Sequence, residues 1–206
     1  MTPSRRAPDY PSGRQSSAGS SCPACGKPIA RDEKWCPHCG FTGSQTLEIY
    51  PDPPPPLAPV LDAANLWNAE ETRRIEKAEG HLRRRFPQFR FHVCSVRLPA
   101  EASLPVFGFW LLNASPLYVA ETPRDRNWAV LWLINAGTGK AAVIPGYSAE
   151  RWLGDQEWTK AIESMAKDWK TGGTTKAVIR FFDQTTVLLD KAWKVRGDHS
   201  RRKSSK

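Results

Sequence analysis

The chain has 206 residues, 40% of them hydrophobic, and a net charge of +9. That length holds one domain of ordinary size and something small beside it. The charge is uneven, +1 over residues 1–60, +4 over 61–195 and +4 in the last eleven residues, so the bulk is only mildly basic. No stretch has the apolar core of a secretory signal, and the longest apolar run, Leu104–Leu112, is far too short to span a bilayer and is broken by Pro105 and Gly108. A soluble, cytoplasmic protein is the expectation.

Residues 1–21 lack hydrophobic anchors and are expected to be disordered. A small module follows over 22–41. Cys22-Pro-Ala-Cys25-Gly is separated by ten residues from Cys36-Pro-His-Cys39-Gly. Each Cys-x-x-Cys-Gly knuckle lets backbone amides turn back toward the sulfurs, and two knuckles supply four thiolates to a tetrahedral structural Zn²⁺. In so short a segment the metal replaces a hydrophobic core, with Ile29, Trp35 and Phe41 expected to pack around it. Two disulfides are the competing reading, and the cytoplasmic setting disfavours them. His38 lies inside the second knuckle but finds the site already filled by Cys22, Cys25, Cys36 and Cys39. Four protein ligands leave no open position for a substrate, so this metal is structural.

Residues 42–59 form a linker, in which Pro51, Pro53 to Pro56 and Pro59 favour an extended, semi-rigid spacer that holds the ribbon away from the main domain. The main domain occupies 60–195. Asn68-Ala-Glu-Glu71 is a capping-box start, followed by Ile75, Ala78, Leu82 and Phe86 at helical spacing, with Glu70 placed to pair with Arg74 and Glu79 with Arg83. The Arg83–Arg85 cluster complements the helix dipole, and Pro87 ends the helix. Gln88–Leu98 reads as a strand, with Phe89, Phe91 and Val93 on one face and Cys94, Val96 and Leu98 on the other. Cys94 and His92 are read as structural, since no patterned partner accompanies either.

Ser103 caps a helix with Pro105 in its first turn, and Val106 to Leu112 make it apolar nearly all round, as suits a core on both sides. Asn113-Ala-Ser115 matches a glycosylation sequon that has no use in the cytoplasm. The centre of the fold is Trp128–Pro145, two apolar runs around Asn135-Ala-Gly-Thr-Gly139. Ala129, Leu131 and Leu133 point one way and Val130, Trp132 and Ile134 the other, so both faces are covered. This predicts a β-hairpin at the middle of a sheet. Gly146-Tyr147 turns the chain, Ser148 or Asp155 caps the next helix or helices, and Trp158, Ile162, Met165 and Trp169 mark a helix ended by Gly172-Gly173. A last helix begins at Thr174 or Thr175, and residues 196–206 form a basic, solvated tail. The fold class is α/β, a three-layer α/β/α sandwich around a small mixed sheet of three or four strands.

Val60-Leu-Asp62-Ala-Ala-Asn-Leu66, the Asn68-Ala-Glu-Glu71 helix start, Arg124-Asp125-Arg126-Asn127 before the apolar strand, and Gly146-Tyr147 after its partner occur in the order seen in the TPM domain. The chain over about 60–193 resembles that family, which includes thylakoid-lumen photosystem II repair proteins and many bacterial proteins. The resemblance implies the α/β/α sandwich, a divalent-cation site near the strand ends, and in some members acid phosphatase activity. Carried over, Asp62 and Asp125, with Asn127 as a neutral oxygen donor, are the matching positions for Ca²⁺ or Mg²⁺. Many members carry an acidic turn in the hairpin, whereas here it is the neutral Ala136-Gly137-Thr138-Gly139.

The expected function is a non-catalytic module that binds another protein. No nucleophile–base pair or phosphate loop is patterned in the sequence, and the four histidines, at 38, 81, 92 and 199, are scattered. Two other readings stand beside it. One is a cation-dependent phosphatase using Asp62 and Asp125. The other is nucleic-acid binding through the ribbon and basic tail, whose affinity would fall steeply with salt.

Overall fold

A computed structural model describes residues 20–30, 33–116 and 123–204 of the chain. Most of the N-terminal stretch expected to be disordered lies outside the described residues. The elements in order are β1 (Ser20–Ser21), β2 (Pro28–Ile29), α1 (Gln45–Ile49), β3 (Val60–Asp62), α2 (Ala69–Arg85), β4 (Arg90–Val96), α3 (Leu104–Ala114), α4 (Pro123–Asn127), β5 (Ala129–Asn135), β6 (Lys140–Pro145), α5 (Tyr147–Glu150), α6 (Asp155–Lys170) and α7 (Thr174–Ser204).

The main sheet has the order β3-β4-β5-β6. β3, β4 and β5 run parallel, and β6 returns antiparallel to β5. The predicted α/β class and small mixed sheet are therefore present. All seven residues of β5 are buried, as the two-faced apolar pattern requires. Val130, Trp132 and Ile134 enter a core with Phe89, Phe91 and Val93 under α2, α6 and α7. Ala129, Leu131 and Leu133 enter the opposite core with Cys94, Val96 and α3.

The hairpin is not at the middle of the sheet. β5 is internal, but β6 is the last strand, and among the described residues no strand pairs with its outer edge. Periodicity reports which faces of a strand are covered and not which neighbours it has. The Gly146 N–H bonds the Ala129 carbonyl at 2.7 Å. This sets the antiparallel alternation, so that Ala142 and Ile144 turn their backbone groups toward β5 while Ala141 and Val143 turn theirs outward.

The capping box at α2 is complete. The Asn68 side chain accepts from the Glu70 and Glu71 N–H groups at 2.9 and 3.0 Å, and the Glu71 carboxylate accepts from the Asn68 N–H at 2.9 Å. Ser103 caps α3 through the Val106 N–H at 3.4 Å. α6 starts differently from expectation: Gly154 stands at the cap, Asp155 is the first helical residue, and Glu157 accepts from the Gly154 N–H at 3.1 Å. α7 continues to Ser204, so the basic end expected as an unstructured tail is helical there.

The segment 42–59 is not a free spacer. It contains α1, and Tyr50 lies against Phe107 and Trp110 of α3, with ring centroids 5.3 and 4.9 Å apart. Leu57 is buried in the same core. The ribbon is accordingly seated on the domain: Phe41 meets Phe109 edge-on at 6.0 Å, and Val106 joins Cys22, Ile29 and Cys36 in one cluster. The all-round apolar character of α3 is thereby explained. One side faces the sheet and the other faces the ribbon.

Candidate metal centre

The ribbon is built by two equivalent turns. The Gly26 N–H bonds the Cys22 carbonyl and the Gly40 N–H bonds the Cys36 carbonyl, each at 2.8 Å. Gly26 and Gly40 have φ of 71° and 74°, the left-handed conformation that closes each knuckle without a Cβ penalty. Short β1–β2 pairing fastens the first knuckle, matching Ser20 with Ile29 and Ser21 with Pro28.

These turns bring Cys22, Cys25, Cys36 and Cys39 together, all four sulfurs within 4.8 Å of one another. Cys22 Sγ and Cys39 Sγ are 3.8 Å apart, and Cys25 Sγ and Cys36 Sγ are 3.6 Å apart. A disulfide would require about 2.05 Å, so the paired-disulfide alternative does not apply and the cysteines are free. A tetrahedron with metal–sulfur bonds of about 2.3 Å has edges of about 3.8 Å. The cluster has the donors and the size to hold a metal ion.

Its electrostatics point the same way. Burial raises the Cys36 thiol, but the His38 and Cys39 N–H groups outweigh it and bring the value down to about 7. The Phe41 N–H lowers Cys39, yet burial and the neighbouring Cys25, Cys36 and Cys22 carry it up to about 12. Four thiols so close cannot all ionise against one another, and a bound cation removes that conflict. His38 is exposed. Trp35 is not part of the ribbon's small core. It is 55% exposed, while Ile29 and Phe41 are buried at 2% and 8%.

The second set of predicted ligands is not brought together. Asp62 ends β3, in register with Ser95 near the end of β4. Its carboxylate accepts from the Leu66 and Trp67 N–H groups, both at 2.9 Å, and from the Ser95 hydroxyl. Asp125 lies in α4 before β5 and pairs with Arg90, the first residue of β4, at 3.4 Å. Arg90 and Ser95 are separated by five steps of β4, roughly 16 Å. Asp62 and Asp125 thus stand at opposite ends of a parallel sheet and cannot share one ion. Asn127 lies in the last turn of α4, on the Asp125 side. The Asp125-Arg126-Asn127 stretch is structural here, since Arg126 donates to the Asn113 and Ser115 carbonyls at the end of α3. Cys94 is fully buried and its thiol is pushed up to about 12, first by burial and then by Asp62, so it stays protonated. His92 bonds the Ala58 carbonyl through Nδ1 at 3.1 Å, a structural position.

Sequence reasoning did not find a cleft of about 690 Å³ where the first knuckle meets α3, β6 and α5, walled by Phe109, Leu112, Val143 and Ile144. Gly146 also lines it. An added Cβ there would lie 2.7 Å from the Asn127 carbonyl oxygen, which accounts for the glycine before Tyr147.

No family model matches the chain, and no curated protein does. The solved structures similar to it include two determined by NMR. A solution NMR structure of the N-terminal domain of a protein from P. gingivalis gives a TM-score of 0.50 at 14% identity, over 74% of this chain and 93% of that one. The NMR structure of the BA42 protein from the psychrophilic bacterium Bizionia argentinensis gives 0.49 at 12% identity, over 61% and 82%. The first likeness is one of fold alone. Among the described residues no helix is long and apolar enough to cross a membrane.

Proposed function

We propose that this chain is a cytoplasmic, non-catalytic interaction module, a TPM-type α/β/α domain carrying a structural zinc ribbon and binding another protein. The observation that carries the reading is the ribbon's arrangement. Four cysteine sulfurs lie within 4.8 Å of one another, and the shell around them, Ile29 and Phe41, is anchored on α3. Cysteine donors in this number suit Zn²⁺, and a site closed by four protein ligands serves architecture. The acids that a phosphatase would need are separated and engaged. Asp62 holds the loop before α2 and Asp125 holds Arg90.

Three measurements on the full chain test this. Metal analysis is expected to give one zinc per chain, lost in Cys22→Ser/Cys36→Ser. Incubation with a generic phosphate ester and Mg²⁺ or Ca²⁺, from acidic to neutral pH, is expected to show no turnover. Hydrolysis that EDTA abolishes and Asp62→Ala removes would overturn the non-catalytic reading. A pull-down with the wild type and with Cys22→Ser/Cys36→Ser assigns the partner to the ribbon if capture is lost with the metal, and to the domain if it is kept.

A further inference from the structure

α2 and α7 lie side by side and run the same way. The Thr175 hydroxyl donates to the Glu71 carboxylate at 3.0 Å near their N-termini, and Arg85 pairs with Asp190 at 2.8 Å farther along. Between these two ties is an open groove of about 1010 Å³. Its accessible apolar floor is the partly exposed Ile179 and the 45% exposed Val187, resting on Leu82 and Phe182, which are already buried at 2% exposure each. Its α2 wall is made cationic by Arg74, Lys77 and Arg84, and with His81 these residues are all exposed and line the groove. Their spacing of three, four and three residues keeps them on one helix face.

The other cations at the end of this helix are matched by acids, Arg83 by Glu79 at 3.4 Å and Arg85 by Asp190. Arg74, Lys77 and Arg84 have no ion pair among the described residues, so the expected Glu70–Arg74 pair is not formed, and the groove offers them a single unengaged carboxylate, Asp183. The wall therefore carries uncompensated positive charge over a floor that gains from being covered by apolar side chains.

We propose that the α2–α7 groove docks a short acidic amphipathic helix of a partner protein. The inference rests on the protein-binding part of the function proposed above and names where and what it binds. From Arg74 to Arg84 the stripe is roughly 15 Å long, about ten residues of a partner helix. Acids at three- and four-residue spacing would meet the stripe, and leucine-like residues on the adjoining face would cover the floor. A nucleic acid would use the cations but leave the apolar floor uncovered. It would also find no exposed ring in the groove on which to stack a base, since Phe182 is buried.

The experiment is a fluorescence-anisotropy titration of the full chain with a labelled synthetic helix bearing Glu on one face and Leu on the next. The same helix with Gln for Glu, a labelled DNA duplex and a single-stranded RNA are run in parallel. The acidic helix is expected to bind, more weakly as salt rises, and the Gln helix to bind at least about tenfold more weakly. Arg74→Glu/Lys77→Glu is expected to weaken the acidic helix by about tenfold or more, and Val187→Asp to weaken it with the cations intact. All three positions are exposed, and an unchanged thermal melt verifies that each variant is folded. Absence of binding, equal binding to the charge-reversed variant, or tighter binding of DNA or RNA lost in that variant would each overturn the proposal. Zinc content and phosphate-ester turnover do not involve α2, so a failed titration leaves that part of the functional reading standing.

Discussion

Gly108 sits in the middle of α3 where the helix crosses the β5–β6 hairpin. Gly108→Ala is expected to destabilise the protein, against the usual direction of a glycine-to-alanine change in a helix. Helical propensity alone favours alanine by about 1 kcal/mol. A Cβ at this position, however, would lie 2.6 Å from Ile144 Cγ1, 3.1 Å from Ile144 Cδ1 and 3.2 Å from Leu133 Cδ2. Leu133 is completely buried and cannot swing away, and Ile144 Cγ1 is close to the backbone of its own strand. Overpacking of this kind costs about 1–3 kcal/mol. The net expectation is a loss of up to about 2 kcal/mol and a melting temperature lower by up to about 8 °C. Urea melts of wild type, Gly108→Ala, Ile144→Ala and the double variant form a thermodynamic cycle. Removing the Ile144 branch makes room for the new methyl, so the double variant should be more stable than the sum of the two changes predicts. A more stable Gly108→Ala, or strict additivity across the cycle, would refute the packing account of α3 on β6.

Chelation of the ribbon metal is expected to lower the melting temperature of the whole domain, because Phe41 and Ile29 lean on Phe109 and Val106. Scanning calorimetry with and without chelator should show that shift shrink in Phe109→Ala, which removes a contact worth about 1.5–3 kcal/mol. Asp62→Ala withdraws the acceptor of the Leu66 and Trp67 N–H groups and should cost about 2–4 kcal/mol in urea while leaving zinc content unchanged. Asp168 is held below the usual aspartate value by hydrogen bonding and charge from Lys176, and by Arg180, against the opposing effect of burial. A depressed folded value means stability that is present above the ordinary aspartate value of 3.8 and is lost as pH falls through the lower folded one. Asp168→Asn should therefore be less stable than wild type at neutral pH, and the two should converge in acid. A gap that persists below the folded value would contradict the ion-pair explanation.

Much of the fold could be foreseen where a repeat imposes it. The alternation of Val130, Trp132 and Ile134 against Leu131 and Leu133 placed both cores correctly, and Asn68 with Glu71 placed the start of α2. The cysteine spacing likewise announced the cluster, because two identical short turns create it locally. What escaped depends on contacts distant in the chain. β3 is only three residues, too short to show a period, yet its parallel pairing with β4 fixes where Asp62 lies. A residue ending β3 and a residue preceding β5 must fall at opposite ends of a parallel sheet, so the Asp62–Asp125 pairing fails by topology and not by residue type. The docking of the ribbon had a signal in the sequence, Val106 and Phe109 on the second apolar side of α3, but nothing local says what covers such a side. Trp35 shows the reverse error, a large ring assigned to a core too small to hold it.

The outer edge of β6 has a consequence for how copies of this chain meet. An open strand edge templates pairing with any other extended chain. Here the strand is bracketed by a charged residue, Lys140, and by Pro145, which has no N–H to offer. Within the bracket, only Ala141 and Val143 direct their backbone groups outward. Neither a neighbouring molecule's sheet nor a growing fibril gains a continuous ladder from two residues, so the strand that completes the fold is also too short to extend it from one molecule to the next.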